Sequence, residues 1–199
     1  MLNKVKDKKL FSEGKRSFFY TGKLNNTKVG IKKLKERKDI RHALKNEANF
    51  LKILNKHKIG PRLIYSKNNY IIYHFVEGIP IEEFIKKNNK QKIKSIIIKI
   101  LNQCFVLDKL KINKLEMTNP YKHILIKTNP VMIDFERCYH TEKPKNLTQF
   151  LQYLTSYRLS LILKQKNIKI NKKEIIKLAK QYKKGYSDFN KIKKYISKV

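Results

Sequence analysis

The sequence predicts an α+β chain in two parts. Residues 1–78 form a small antiparallel β-sheet with one helix, and residues 79–199 form a mainly α-helical part. Three observations lead there. β-branched and aromatic runs broken by Gly and Asn turns fill much of the first part, and a single amphipathic stretch interrupts them. From Pro80 onward, apolar residues recur at helical spacing.

The elements follow in order. Within residues 9–34, Phe18-Phe19-Tyr20 and Val29-Gly30-Ile31 are short β-type runs set around Gly22 and Asn25-Asn26, so a small antiparallel sheet is expected. Asp39 suits the N-cap of a helix running to about Lys58, where Gly60-Pro61 stops it. Arg62-Leu63-Ile64-Tyr65 and the apolar run Tyr70 to Val76 read as strands joined by a turn at Asn68-Asn69, the second ending at Glu77-Gly78. A short helix is expected over Ile81 to Lys87 and a long one from about Lys90 to Leu110. Ile124-Leu125-Ile126 and Val131-Met132-Ile133 then form a hairpin over Lys127-Thr128-Asn129-Pro130. Two or three Lys-rich amphipathic helices finish the chain.

Composition excludes several classes. With 199 residues, 41% of them hydrophobic, the chain can build a core, so it is not a disordered basic tail. Its longest apolar stretches, such as Ile96-Ile97-Ile98, are interrupted by Lys far short of the ~18 residues a bilayer span needs, and no membrane partner is expected. Met1 to Lys15 has no apolar h-region, so a secretory signal is not expected and cytoplasm is the default location. Cys104 and Cys138 read as reduced thiols.

The 48 Lys and Arg against 15 Asp and Glu give a formal charge of +33. Only six of the basic residues are Arg: Arg16, Arg37, Arg41, Arg62, Arg137 and Arg158. Such a Lys-heavy mixture reads either as a coding bias that fills the solvated surface or as a field that draws polyanions, RNA and ribonucleoprotein included. The Arg-rich patches and interleaved aromatics of dedicated RNA binders are absent, so charge alone specifies no nucleic acid.

Two constellations carry chemistry. On the helix 39–58, Glu47 sits among Ala43, Leu44, Phe50, Leu51 and Leu54, in the middle of the apolar stripe. A carboxylate there needs a cation or hydrogen-bond donors. Strand alternation in Val29-Gly30-Ile31-Lys32 puts Lys32 on the same face as Gly30. That face would let a flat ligand approach the backbone at Gly30 while Lys32, held by Glu47, reaches a phosphate. The second constellation follows from the hairpin. Pairing 126 with 131 makes His123 and Asp134 neighbours at its mouth, an arrangement suited to holding a divalent cation on a phosphate. Glu136 lies two residues beyond Asp134, and Glu116 precedes the hairpin, a concentration of acid in a chain with few acidic residues. The bland alternatives are a snorkelling Glu47 and a surface salt bridge at the strand end.

Taken together, a loop at Gly14, Val-Gly-Ile-Lys at 29–32, the helical Glu47, a strand leading into His74-Phe75-Val76-Glu77-Gly78, and Ile133-Asp134-Phe135-Glu136 resemble the two-lobed protein-kinase-like fold over roughly residues 9 to 160. Asn119-Pro120-Tyr121-Lys122-His123 and Pro144-Lys145-Asn146-Leu147-Thr148 make the resemblance strongest to small archaeal serine/threonine kinases related to the RIO and Bud32 groups. The resemblance implies ATP and Mg²⁺ as ligands, with residues 1–78 as the N-lobe and 79–199 as the C-lobe. It makes Lys32 the lysine on the α/β-phosphates, Glu47 its ion-pair partner and Asp134 the metal-binding aspartate. It also makes Tyr73 the gatekeeper, with the His74 carbonyl and Val76 amide bonding adenine, and Gly14 part of the phosphate loop. Glu116 falls at the catalytic-loop aspartate and His123 at the second metal ligand.

The departures from the family pattern are specific. Ser12-Glu13-Gly14-Lys15-Arg16-Ser17 keeps only the middle glycine of the phosphate loop, where Lys15 and Arg16 compensate electrostatically. Lys114-Leu115-Glu116 stands in place of His-Arg-Asp. His123 follows Glu116 by seven positions, where common protein kinases have about five. Phe135-Glu136 replaces Phe-Gly, and no Ala-Pro-Glu segment follows. The expected activity is therefore ATP-dependent phosphotransfer of the atypical serine/threonine kinase type, with an unidentified protein substrate. The alternative is an ATP-binding or ATP-hydrolysing switch, or a pseudokinase, in an RNA-processing or ribosome-assembly complex.

Overall fold

The computed structural model describes residues 1–35, 41–186 and 188–199, with the side chain of Arg41 left out. Its contacts divide the chain into two compact units, Met1–Glu77 with Val131–Cys138, and Gly78–Pro130 with Tyr139–Val199. The fold is α+β.

The first unit is built on a five-stranded antiparallel sheet in the order β1-β2-β3-β5-β4. Its strands are β1 (Lys6–Glu13), β2 (Ser17–Leu24), β3 (Thr27–Leu34), β4 (Leu63–Lys67) and β5 (Tyr70–His74). Asn25 and Asn26 both have left-handed φ, 46° and 61°, and close a two-residue hairpin that pairs Leu24 with Thr27. That conformation matches the right-handed twist of the flanking strands, and Asn tolerates it. β1 begins three residues earlier than the sequence pattern suggests. Its Lys-rich, wholly exposed residues show no alternation, and pairing with β2 is what makes it a strand. An edge strand studded with Lys also resists pairing with other chains.

One sheet face packs Val29 and Ile31 against Val5, Tyr70 and Ile72. Helix α1 (Arg41–Leu54) buries Leu44, Ala48, Phe50, Leu51 and Leu54. The proposed N-cap, Asp39, lies outside the described residues. The helix ends earlier than Gly60-Pro61. A 3-10 turn over Asn55–His57 follows Leu54, and Lys58 at φ 58° closes it. Gly60 (φ +79°) serves packing as well, since a Cβ there would stand 2.8 Å from Leu51 Cδ2 and 2.9 Å from Phe135 Cε2. The fully buried Phe135 thus ties segment 131–138 to the first unit, although sequence order groups that segment with 79–199.

In the second unit, β6 (Ile79–Pro80) pairs antiparallel with β8 (Ile124–Ile126), and β7 (Ile112–Asn113) pairs with β10 (Tyr139–His140). β9 (Pro130–Met132) straddles the division, with Val131 and Met132 assigned to the first unit. The helices are α2 (Ile81–Lys87), α3 (Lys90–Lys109), α4 (Asn146–Leu154), α5 (Tyr157–Gln165), α6 (Lys172–Tyr182) and α7 (Phe189–Lys198). Among the described residues, four helices, not two or three, follow residue 145, because the short break at Thr155-Ser156 hardly disturbs the apolar periodicity. Among the described residues, no helix is long and apolar enough to cross a membrane.

α3 contributes Ile93, Ile97, Ile100, Leu101 and Leu107 to this core, and α4 contributes Leu147, Phe150, Leu151 and Leu154. Asp108, fully buried at the end of α3, organises the rest. Its Oδ1 accepts from the Asn146 backbone N (3.0 Å) and Nδ2 (2.7 Å), and its Oδ2 accepts from the Tyr182 hydroxyl (2.8 Å) and Leu147 N (3.3 Å). The carboxyl therefore caps α4 and anchors α6. Burial nevertheless raises its pKa above the usual carboxylate range, outweighing the lowering by these four bonds. A raised folded-state pKa means the stability Asp108 contributes is greatest below about pH 4 and declines as pH rises through the folded value. Asp108→Asn should lose about 1–3 kcal/mol by setting donor against donor. Its deficit against the wild type in urea unfolding should be largest near pH 4 and shrink toward neutrality. A deficit that grows with pH would contradict the raised pKa.

Candidate functional site

Strand alternation places Lys32 of β3 on the face opposite Val29 and Ile31, and α1 presents Glu47 there. The Glu47 side chain is only 1% exposed, and its Oε2 lies 2.8 Å from Lys32 Nζ. The same ammonium donates to Asp134 Oδ1 at 3.0 Å and to Glu136 Oε2 at 3.2 Å. The second Glu47 oxygen accepts the Phe135 backbone N–H at 3.3 Å, so the helix carboxylate grips both the lysine and the segment that carries Asp134. Asp134 itself has φ 66°, a left-handed conformation uncommon outside glycine and one that Asp tolerates. Asn46, beside Glu47 on α1, donates its Nδ2 to the carbonyls of Glu136 (2.9 Å) and Cys138 (2.8 Å) and fixes the backbone beyond.

Electrostatics keep the lysine charged. Burial by itself would lower the Lys32 pKa, but Glu47, Asp134 and Glu136 together more than reverse that and hold it well above its usual value. For Glu47, burial pushes the carboxyl up while Lys32 pulls it back. Charge-assisted bonds at these lengths are stronger than neutral ones and hold Lys32 between three carboxylates.

The loop at Gly14 belongs to the same unit. Gly14 N donates to Ser17 O at 2.9 Å, Lys35 N donates to Arg16 O at 3.0 Å, and Lys35 pairs with Glu13, so the β1–β2 turn is held at several points. Arg16 Nη1 reaches Glu136 Oε1 at 3.2 Å.

The flat-ligand surface expected at Gly30 is filled in this structure. A Cβ on Gly30 would stand 2.6 Å from Phe19 Cζ and 3.0 Å from Tyr73 Cε2. The Phe19 ring stacks against Tyr73 and Phe75, and Phe11 meets Phe19 and Phe75 edge-on. The register pairs Thr21 with Gly30 and Phe19 with Lys32, and the Phe19 ring leans diagonally onto the position that has no side chain. Single-strand alternation cannot show this, because it does not say which residue lies across. His74 ends β5 with its amide donating to Arg62 O at 2.9 Å, and Val76 follows half-buried. The buried Tyr73 lies across from Gly30.

The other candidates lie in the second unit. Glu116 is in a 3-10 turn, Leu115–Thr118, and its Oε2 is 2.9 Å from the Nζ of Lys114, a lysine with no exposed side-chain surface. Asn146 accepts the Lys114 backbone N–H at 2.8 Å and donates to Ile112 O at 2.6 Å, tying the turn's approach to α4. His123 is half-buried just before β8, its amide donating to Pro120 O at 2.8 Å. Among the described residues, the acidic group able to share one cation is Glu47, Asp134 and Glu136, with ligand oxygens within 4.8 Å of one another. His123 is not in it, and hard divalent cations prefer oxygen donors to imidazole.

Lys114 and Asn46 were not foreseen from sequence. Nothing distinguishes Lys114 among so many lysines, whereas Asn46, adjacent to a core-facing Glu on α1, carried a usable signal. No family model matches the chain, and no curated protein matches it.

Proposed function

We propose that the chain is an ATP-dependent phosphotransferase of the atypical serine/threonine kinase type, with a two-lobed protein-kinase-like fold related to the RIO and Bud32 groups. The observation that carries this reading is the Lys32 ammonium bonded at once to Glu47 and Asp134, with Asp134 in a left-handed turn. A buried lysine spaced by a helix glutamate and facing an aspartate is what orienting a polyphosphate requires.

The residues fit the phosphate and metal parts of the implied ligands. Asp134 offers an oxygen donor of the kind a hard cation such as Mg²⁺ prefers, and Lys32 with Arg16 offers cationic donors to phosphate. Bound Mg²⁺ supplies neutralisation of phosphate charge. Lys32 orients the phosphate oxygens, and Glu47 fixes the lysine's rotamer. The resemblance gives the role of proton acceptor to Glu116, whose carboxylate is held by the Lys114 ammonium within the second unit.

The test is a thermal shift of the wild-type protein with ATP, with and without Mg²⁺. ATP at about 100 times its Kd adds about 2.7 kcal/mol, a rise of several degrees in a chain of this size. A Mg²⁺-dependent rise supports the reading. No rise under either condition overturns it and leaves a scaffold whose function lies on its basic surface.

A further inference from the structure

Glu136 stands where the resembled pattern has glycine, a residue with no side chain to contribute. In the structure its carboxylate does one specific thing, spanning two cations that belong to different elements. Oε1 takes Arg16 of the β1–β2 turn and Oε2 takes Lys32 of β3, each at 3.2 Å. Its side chain is 13% exposed, whereas its backbone is fixed separately by Asn46. The side chain can therefore leave the two cations without disturbing the backbone that carries Asp134. Lys32 has two other carboxylate partners, and Arg16 is half exposed. Releasing the Glu136 bridge strands no buried charge, provided another anion takes its place.

We infer that Arg16 and Lys32 form a two-cation anion site for a polyphosphate, and that Glu136 occupies it in the ligand-free protein and is displaced when phosphate binds. The inference rests on the nucleotide-binding reading above and adds to it a second phosphate-binding cation and a built-in competitor. A carboxylate bridging a guanidinium and an ammonium presents them with the same paired oxygens that a phosphate would. Affinity for the anion is then reduced by the fraction of molecules in which the site is already taken.

The experiment measures binding of ATP and of inorganic triphosphate in EDTA by isothermal calorimetry, with wild type, Glu136→Gln, Glu136→Asp and Arg16→Gln. Glu136→Gln should tighten binding about tenfold, and Arg16→Gln should weaken it several-fold. Glu136→Asp is the decisive variant. It keeps the negative charge but is one methylene too short to span both cations, so displacement predicts that it binds nearly as tightly as Glu136→Gln. Mere charge repulsion predicts that it behaves like wild type, and that result overturns the inference. Weaker binding by Glu136→Gln in Mg²⁺, with no change in EDTA, would make Glu136 a metal ligand and also overturn it. If triphosphate follows the expected order while ATP does not bind, the anion site stands and the nucleotide reading fails. If ATP binds equally in all four proteins, the nucleotide reading stands and this inference fails. Binding of neither anion to any of the four overturns both.

Discussion

Lys32→Met is expected to destabilise the protein by about 3–5 kcal/mol, the largest effect of any single side-chain change at the site. The variant leaves Glu47 buried without its cation, and Asp134 and Glu136 beside it now repel one another. In a chain of this length that corresponds to a Tm lower by roughly 10 °C. The loss should depend on pH in a definite direction. Burial raises the Glu47 pKa even with Lys32 in place, and removing the ammonium removes the main opposing influence. A carboxyl with a raised folded-state pKa stabilises fully below the unfolded value of about 4.3, and that contribution is lost as pH rises. The deficit of Lys32→Met against wild type should accordingly be smallest near pH 4 and widen toward pH 7. Urea unfolding at three pH values measures it. A constant deficit would mean that the carboxylates find other donors when the lysine is gone.

Asp134→Asn is expected to do the opposite, sparing the fold and removing the proposed activity. Asn tolerates the left-handed φ of 66° at this position, and the Asp134 side chain is 32% exposed. Lys32 keeps Glu47 and Glu136. Stability should stay within about 1 kcal/mol of wild type. On the proposed phosphotransferase reading, the lost charge at the metal-binding position lowers turnover by about 10²–10³. Radiolabelled phosphate transfer from ATP to a generic protein acceptor, with unfolding measured on the same preparation, separates the two effects. Normal turnover in the folded variant would remove Asp134 from the mechanism. The pair of variants also separates structure from chemistry, since Lys32 serves both and Asp134 chiefly one.

The Asn25-Asn26 hairpin, the core-facing Glu47 on its amphipathic helix and the apolar β5 were legible in the chain. Each depends on local spacing, on a turn that only a few residues tolerate, or on a carboxylate placed in an apolar stripe. β1 was half legible, because a strand whose residues are all exposed has no alternation to read. The fourth terminal helix was not, because the two-residue break at Thr155-Ser156 leaves the periodicity almost intact.

For the site, the sequence by itself determined that Glu47 in its apolar stripe needs a cation or hydrogen-bond donors and that Lys32 shares a face with Gly30. Both follow from periods of 3.6 and 2 within single elements. Only the tertiary structure decided that Phe19 fills the space over Gly30, that Glu136 bridges Arg16 and Lys32, and that Lys114 is buried against Glu116. The first two depend on strand register or on contacts more than 100 residues apart in the chain, and a periodicity carries no information about its partner. The third spans two residues, yet burial is what sets it apart. Burial is a property of everything packed around a side chain, and one lysine in so basic a sequence carries no mark of it.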